Sequence, residues 1–148
     1  VMGEPVNLFS VPRVGVGVII ISRGKILIGE RIGSIGANTF ALPGGHLEFG
    51  ETMEDCARRE TEEETGLVLD KVRLGTVNES VMDSIGRHYI TIFMVATLKS
   101  DEQIPQVKEK EKCKGWSWVA WNEVPKPVFQ PLESLLHSQW LPSELQGE

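Results

Sequence analysis

Residues 45–67 read GHLEFGETMEDCARRETEEETGL, and the second half of this stretch carries a helix with its own start and stop signals. Thr52 followed three residues on by Asp55 fits a capping box, and Gly66 fits a left-handed C-terminal cap; the spacing predicts one helix from Met53 to Thr65. At roughly 100° per residue, Glu60, Glu63 and Glu64 share an arc of about 100°, while Glu62 points to the other side. The same arc runs upstream through Met53, Cys56 and Ala57. An inward-looking apolar stripe therefore turns acidic in its last turn, where mutual repulsion adds to the partial negative charge of the helix C-terminus. Such an arrangement calls for a cation. With oxygen donors only, and no His or Cys in the cluster, Mg²⁺ or Mn²⁺ suits it better than zinc.

A solvated acidic helix face is the competing reading, and for an isolated Glu-rich run it is the commoner one. The flanks argue against it. Gly44 and Gly45 are expected to form a turn just before the loop, and Gly50 to bend the chain again ahead of Glu51. Backbone left bare by glycine can approach an ion or a phosphate, which makes the Gly45 carbonyl a candidate ligand beside Glu60, Glu63 and Glu64. Gly45, Glu51, Arg59, Glu60, Glu63, Glu64, Gly66 and Leu67 stand at the spacings of the Nudix box: G, five residues, E, seven residues, R-E-U-x-E-E-x-G-U, with U a bulky aliphatic. On these residues the chain resembles the Nudix hydrolases. Thr61 departs from the pattern at an aliphatic position, which alters the packing behind the helix and leaves the acidic residues alone. The resemblance implies that Arg59 pairs with Glu51 to fix the loop against the helix, that Gly66 is structural, and that Glu60, Glu63 and Glu64 hold metal and water.

The rest of the chain is compatible with that site. At 148 residues it is read as a single domain spanning 1–148, with residues 1–11 expected to be disordered or an addition ahead of the domain. A net charge of −6 without a basic stripe argues against binding a nucleic-acid polymer. An acidic protein that takes an anionic substrate must attract it through bound cations and a few local Arg or Lys side chains. The two cysteines, Cys56 and Cys113, make no disulfide framework and read as buried free thiols in a reducing, cytoplasmic compartment. No apolar run reaches transmembrane length, so no membrane partner is expected; a homodimer is left open.

Along the chain, Val14 to Ser22 and Lys25 to Glu30 read as a hairpin turned at Arg23-Gly24, and Phe40 to Pro43 as a short extended piece. Val72 to Asn78 and His88 to Leu98 read as strands, the alternating Trp116 to Trp121 segment as the strand that closes the sheet, and Pro131 to Trp140 as a second helix. The fold class is α/β. A mixed sheet between helices, the Nudix-type α/β/α sandwich, follows from this order and from the resemblance. The Gly15-Val16-Gly17 glycines read as strand glycines rather than a dinucleotide fingerprint, and Trp116, Trp118 and Trp121 as sheet core. His46, next to the glycine pair, is a candidate phosphate contact, with an incidental histidine as the alternative.

Beyond the box, Phe40 to Glu51 and Glu111 to Trp118 resemble the plant and animal branch of Nudix enzymes that hydrolyse normal and oxidised nucleoside triphosphates. This closer resemblance implies that Glu111 is a further metal ligand or assisting base, joining Glu63 and Glu64 as catalytic candidates. It implies that Arg31 contacts phosphate, that Gly44 belongs to the substrate-binding set, and that Phe40, Leu42, Thr91 and Leu132 surround the base. Gln130 stands where relatives often carry tryptophan, so stacking on the base is reduced at that position. The expected reaction is Mg²⁺-dependent hydrolysis of a nucleoside triphosphate, including oxidised purine forms such as 8-oxo-dGTP, to the monophosphate and pyrophosphate, with Glu63 or Glu64 drawing a proton from the attacking water. The alternatives are another nucleotide derivative (NADH, ADP-ribose or dihydroneopterin triphosphate) or a catalytically silent nucleotide binder.

Overall fold

The computed structural model describes residues 11–33 and 35–147. The expectation for residues 1–11 therefore falls, but for Val11, outside the described residues. Strand β1 (Arg13–Ser22) and strand β2 (Lys25–Arg31) form the expected hairpin, with Ile21 opposite Ile26 and Ser22 opposite Lys25. The two residues between them, Arg23 at φ 53° and Gly24 at φ 77°, both take left-handed backbone, which matches the twist of an antiparallel pair.

The remaining elements are β3 (Phe40–Ala41), β4 (Gly44–His46), α1 (Met53–Thr65), β5 (Leu69–Met82), β6 (Arg87–Leu98), β7 (Cys113–Val119) and α2 (Gln130–His137). They build one seven-stranded mixed sheet in the order β3-β2-β1-β6-β5, with β4 joined to β1 and β7 to β2. The long central pair β1–β6 is parallel and the other strand pairs are antiparallel. Period-two alternation along β1 sends Val16, Val18 and Ile20 to one face, where they pack with Cys56 and Ala57 of α1. Ile19 and Ile21 go to the other face, with Phe93 and Val95 of β6 and Leu132 and Leu135 of α2. One helix on each face gives the α/β/α layering. No helix among the described residues is long and apolar enough to cross a membrane.

Several boundaries differ from the sequence reading, each for a long-range reason. Gly44 and Gly45 do not turn the chain; they pair with β1, Gly44 opposite Gly17 and Gly45 opposite Val16. Their lack of a side chain serves packing, because a Cβ on Gly44 would collide with the Val16 carbonyl and one on Gly45 would stand 2.5 Å from the Glu60 carboxyl carbon. Strand β2 runs one residue past the expected Glu30, to Arg31. Strand β5 runs on to Met82 because β6 offers a continuous partner, with register shifts between Leu69 and Val72 and between Leu74 and Thr76. Trp121 leaves the strand for a short 3₁₀ turn and packs with the α2-side core, whereas Trp116 and Trp118 pack on the α1 side. Helix α2 stops at His137, where Ser138 caps it in extended backbone.

Candidate active site

Helix α1 begins and ends where its residues say it should. Thr52 accepts a hydrogen bond from the Asp55 N–H at 3.0 Å, and Gly66 closes the helix at φ 74° with its N–H donated to the Glu62 carbonyl. Thr61 is fully buried with no hydrogen-bond partner for its hydroxyl oxygen. The helix C-terminus is thereby fixed beneath a split in the sheet: β1 bonds to β4 at Gly15–Gly17 and to β2 only from Ile21, so β4 and β2 diverge between them. The split opens a cleft of about 620 Å³ whose lining includes Gly44, Gly45, Glu60, Glu64, Arg31, Glu109 and Glu111.

Glu64 is half-buried and held from several sides. The Gly44 N–H donates to its Oε2 at 3.1 Å, and its backbone carbonyl accepts from the Trp116 indole at 3.3 Å and the Lys108 N–H at 3.3 Å. Removal from water, followed by its hydrogen bond with Glu60, pushes the carboxyl up to about 9, so that without a cation Glu64 keeps a proton at neutral pH. Glu60 lies against Gly45, where a side chain on the strand would displace it.

Arg59 organises the remaining carboxylates. Its Nε donates to Glu51 Oε2 at 2.6 Å and its Nη2 to Glu51 Oε1 at 3.0 Å, a two-point pair that holds the Glu51 carboxyl down to about 2. Its Nη1 donates to Glu60 at 2.7 Å and to Glu63 at 3.3 Å, and its Nη2 to the His46 carbonyl at 3.3 Å. Among the described residues no three His, Cys, Asp or Glu side chains form a ready-made metal cage. In this arrangement the guanidinium occupies Glu63 and one oxygen of Glu60, and Glu60 and Glu64 share a hydrogen bond. Donor chemistry nonetheless fits a hard cation. Two adjacent carboxylates, Glu60 and the desolvated Glu64, face a cleft, with oxygen donors throughout.

The opposite wall is cationic and aromatic. Arg31 donates from Nε to the Ile35 carbonyl at 3.0 Å, lies 4.2 Å over the Phe129 ring, and is attracted by Glu64, while burial lowers its pKa. Leu42, Thr91 and Leu132 line the cleft as expected positions around a base; Phe40 does not, being turned to the α2-side core. Gln130 is exposed and reaches the Val81 carbonyl at 3.5 Å, outside the lining, whereas its neighbour Phe129 forms part of the wall. His46 stacks on Tyr89 with ring centres 5.6 Å apart, and burial together with Arg13, Arg31 and Arg87 lowers its pKa. Glu111 lines the cleft as an exposed side chain, and Glu109, which the sequence reading passed over, acts electrostatically on Glu64. Its signal was an acidic residue two positions ahead of Glu111 in the same loop.

The NUDIX domain family matches residues 11–139, a span that contains the split sheet, the acidic end of α1 and both cleft walls. The chain belongs to the Nudix family. Among curated relatives, this Nudix chain is 36% identical over 125 residues to an ADP-ribose pyrophosphatase of Methanocaldococcus jannaschii, covering 83% of this chain and 70% of that protein. It is 30% identical over 95 residues to an oxidized purine nucleoside triphosphate hydrolase of Danio rerio, covering 60% of this chain and 61% of that one. The chain therefore spans less than two thirds of the Danio rerio protein. A solved MutT Nudix hydrolase from Burkholderia pseudomallei superposes with a TM-score of 0.78 at 30% identity, over 84% of this chain and 95% of that structure. The protein is a Nudix hydrolase, of a family that acts on nucleotide derivatives and generally uses divalent metal ions.

Proposed function

We propose that this Nudix hydrolase cleaves a phosphoanhydride bond of nucleoside triphosphates, normal or oxidised, releasing the monophosphate and pyrophosphate. The observation that carries the reading is the cleft itself, with the Glu60–Glu64 pair against Gly44–Gly45 on one wall and Arg31 over Phe129 on the other. Glu60 and Glu64, joined by Glu63, the Gly45 carbonyl and the loop carboxylates Glu109 and Glu111, would hold Mg²⁺ or Mn²⁺. Bound there, such an ion would neutralise phosphate charge and make water acidic enough to attack near neutral pH.

The chain's own groups do the rest. Glu64, once ionised, draws the proton from the attacking water, a task for which its place in the cleft suits it better than the exposed, Arg59-bonded Glu63. The water oxygen bonds to phosphorus as the bridging P–O bond breaks, and the leaving phosphate carries away the electron pair. Arg31 takes phosphate oxygens, while Leu42, Leu132 and Phe129 hold the nucleoside. Arg59 and Glu51 keep the loop and helix in register. The free thiols Cys56 and Cys113 support a reducing, cytoplasmic setting, and the family match across 11–139 supports one domain.

A second reading, hydrolysis of ADP-ribose, is favoured by the Methanocaldococcus jannaschii relative. A panel of dGTP, its 8-oxo form, dCTP and ADP-ribose with Mg²⁺, read by ion chromatography, separates the two. Pyrophosphate release from triphosphates at the highest kcat/KM is expected. Faster formation of AMP and ribose 5-phosphate from ADP-ribose would move the assignment, and nucleotide binding without turnover under any divalent ion would make the protein a silent binder.

A further inference from the structure

The mouth of the cleft carries positive charge on an otherwise acidic protein. On β1, Arg13, Gly15 and Gly17 share one face, and Gly15 and Gly17 line the cleft. On β6, Arg87, Tyr89, Thr91 and Phe93 share the same face, and the last three of these line the cleft. The parallel register sets Arg13 beside Tyr89 and Gly15 beside Thr91, while antiparallel pairing sets His46 of β4 on the other flank of Gly15. The His46 ring stacks on Tyr89 across β1, with planes 16° apart. Arg13 and Arg87 thus continue the two cleft-lining rows outward past this stack, and both act electrostatically on His46.

We propose that Arg13 and Arg87, set beside the His46–Tyr89 stack, form an anion subsite at the cleft mouth that takes a phosphate beyond the scissile bond. This deepens the phosphoanhydride reading and rests on it. The distance suits the role: His46 lies two residues along β4 from Gly44, which touches the Glu64 carboxyl, a span of about 7 Å and within reach of a polyphosphate chain. In a protein of net charge −6, guanidinium groups placed there draw a highly charged tail toward the cleft. A nucleotide derivative ending in a neutral sugar gains less. The subsite therefore selects for substrates with charge on the leaving side.

The test pairs binding with kinetics on the double variant R13Q/R87Q, checked by circular dichroism, against K25Q/K71Q, which removes equal charge elsewhere. Inorganic pyrophosphate titrated calorimetrically in excess Mg²⁺ is expected to bind the double variant about tenfold or more weakly than the native protein and the control. The KM for dGTP is expected to rise by a similar factor with kcat little changed, and that for ADP-ribose to rise several-fold less. Pyrophosphate binding equal in native and double-variant protein, equal weakening in the control, no binding to the native protein, or equal rises in KM for the two nucleotides would each overturn the subsite. If neither nucleotide is turned over, the proposed function fails, and the pyrophosphate titration still decides the subsite.

Discussion

Glu64 is the residue on which structure and chemistry meet. An unfolded glutamate titrates near 4.5, whereas burial and Glu60 push the folded group up to about 9. Between those values the folded, metal-free protein holds a proton the unfolded chain has lost, so its stability is fullest below about pH 4.5 and falls as pH rises toward 9. Glu64→Gln removes that dependence. In excess chelator, the melting temperature of the native protein is expected to fall relative to that of the variant from about pH 5 to about pH 9; parallel curves would show that another group is the buried acid. With Mg²⁺ the same substitution is expected to lower kcat about a hundredfold or more, and exposed Glu62→Gln to leave it near native. Near-native turnover by Glu64→Gln would remove this residue from the chemistry.

At the scale of elements, α1 and β4 form one working piece held by Arg59. The guanidinium bonds Glu51, Glu60, Glu63 and the His46 carbonyl together, a pattern that lysine's single ammonium cannot reproduce. Arg59→Lys is expected to lower kcat by about ten- to hundredfold and also the melting temperature, and an unchanged kcat would mean that the loop finds its register without this fork. The N-terminal end of α2 makes a second such piece. Phe129→Ala, which removes the ring beneath Arg31, is expected to raise the nucleotide KM about tenfold, while Gln130→Trp changes it by less than about twofold because that side chain lies outside the cleft. A purine-selective gain in Gln130→Trp would show that this position does face the base. These contrasts also mark what the sequence made legible. Helix α1 was readable to the residue because caps and periodicity are local signals, and the acidic arc came with it. Gly44–Gly45 misled because turn propensity is local, whereas their real constraint is the Val16 carbonyl and the Glu60 carboxylate approaching from distant parts of the chain. Glu109 and Phe129 escaped for the same reason: Glu109 is placed by how β7 registers on β2 and Phe129 by its pairing with Phe40 of β3, and no short pattern encodes either.

For the whole molecule, charge and metal have to be considered together. A net charge of −6 repels a nucleotide polyphosphate, and the cleft adds half-buried carboxylates to that field. Binding of a divalent ion relieves both the repulsion within the cluster and the cost of ionising Glu64, so it should stabilise the native protein itself. At a free concentration about a hundred times Kd the gain is about 2.7 kcal/mol, which for a chain of this size corresponds to a rise in melting temperature on the order of 5–10 °C. That rise should grow with pH, because above neutrality the ion displaces less readily retained protons from Glu64. Turnover is the stricter criterion. Ca²⁺ is larger, accepts looser geometry and acidifies its water less than Mg²⁺, so it should raise the melting temperature and support nucleotide binding while giving much lower kcat. Thermal shift and steady-state rates measured side by side with Mg²⁺, Mn²⁺, Ca²⁺ and excess chelator check this. Equal rates with Ca²⁺ and Mg²⁺ would mean that acidification of water by the ion does not limit the rate, whereas full activity in chelator would mean that the carboxylate pair does not act through a bound cation and that the chemistry belongs to the chain's own acids alone.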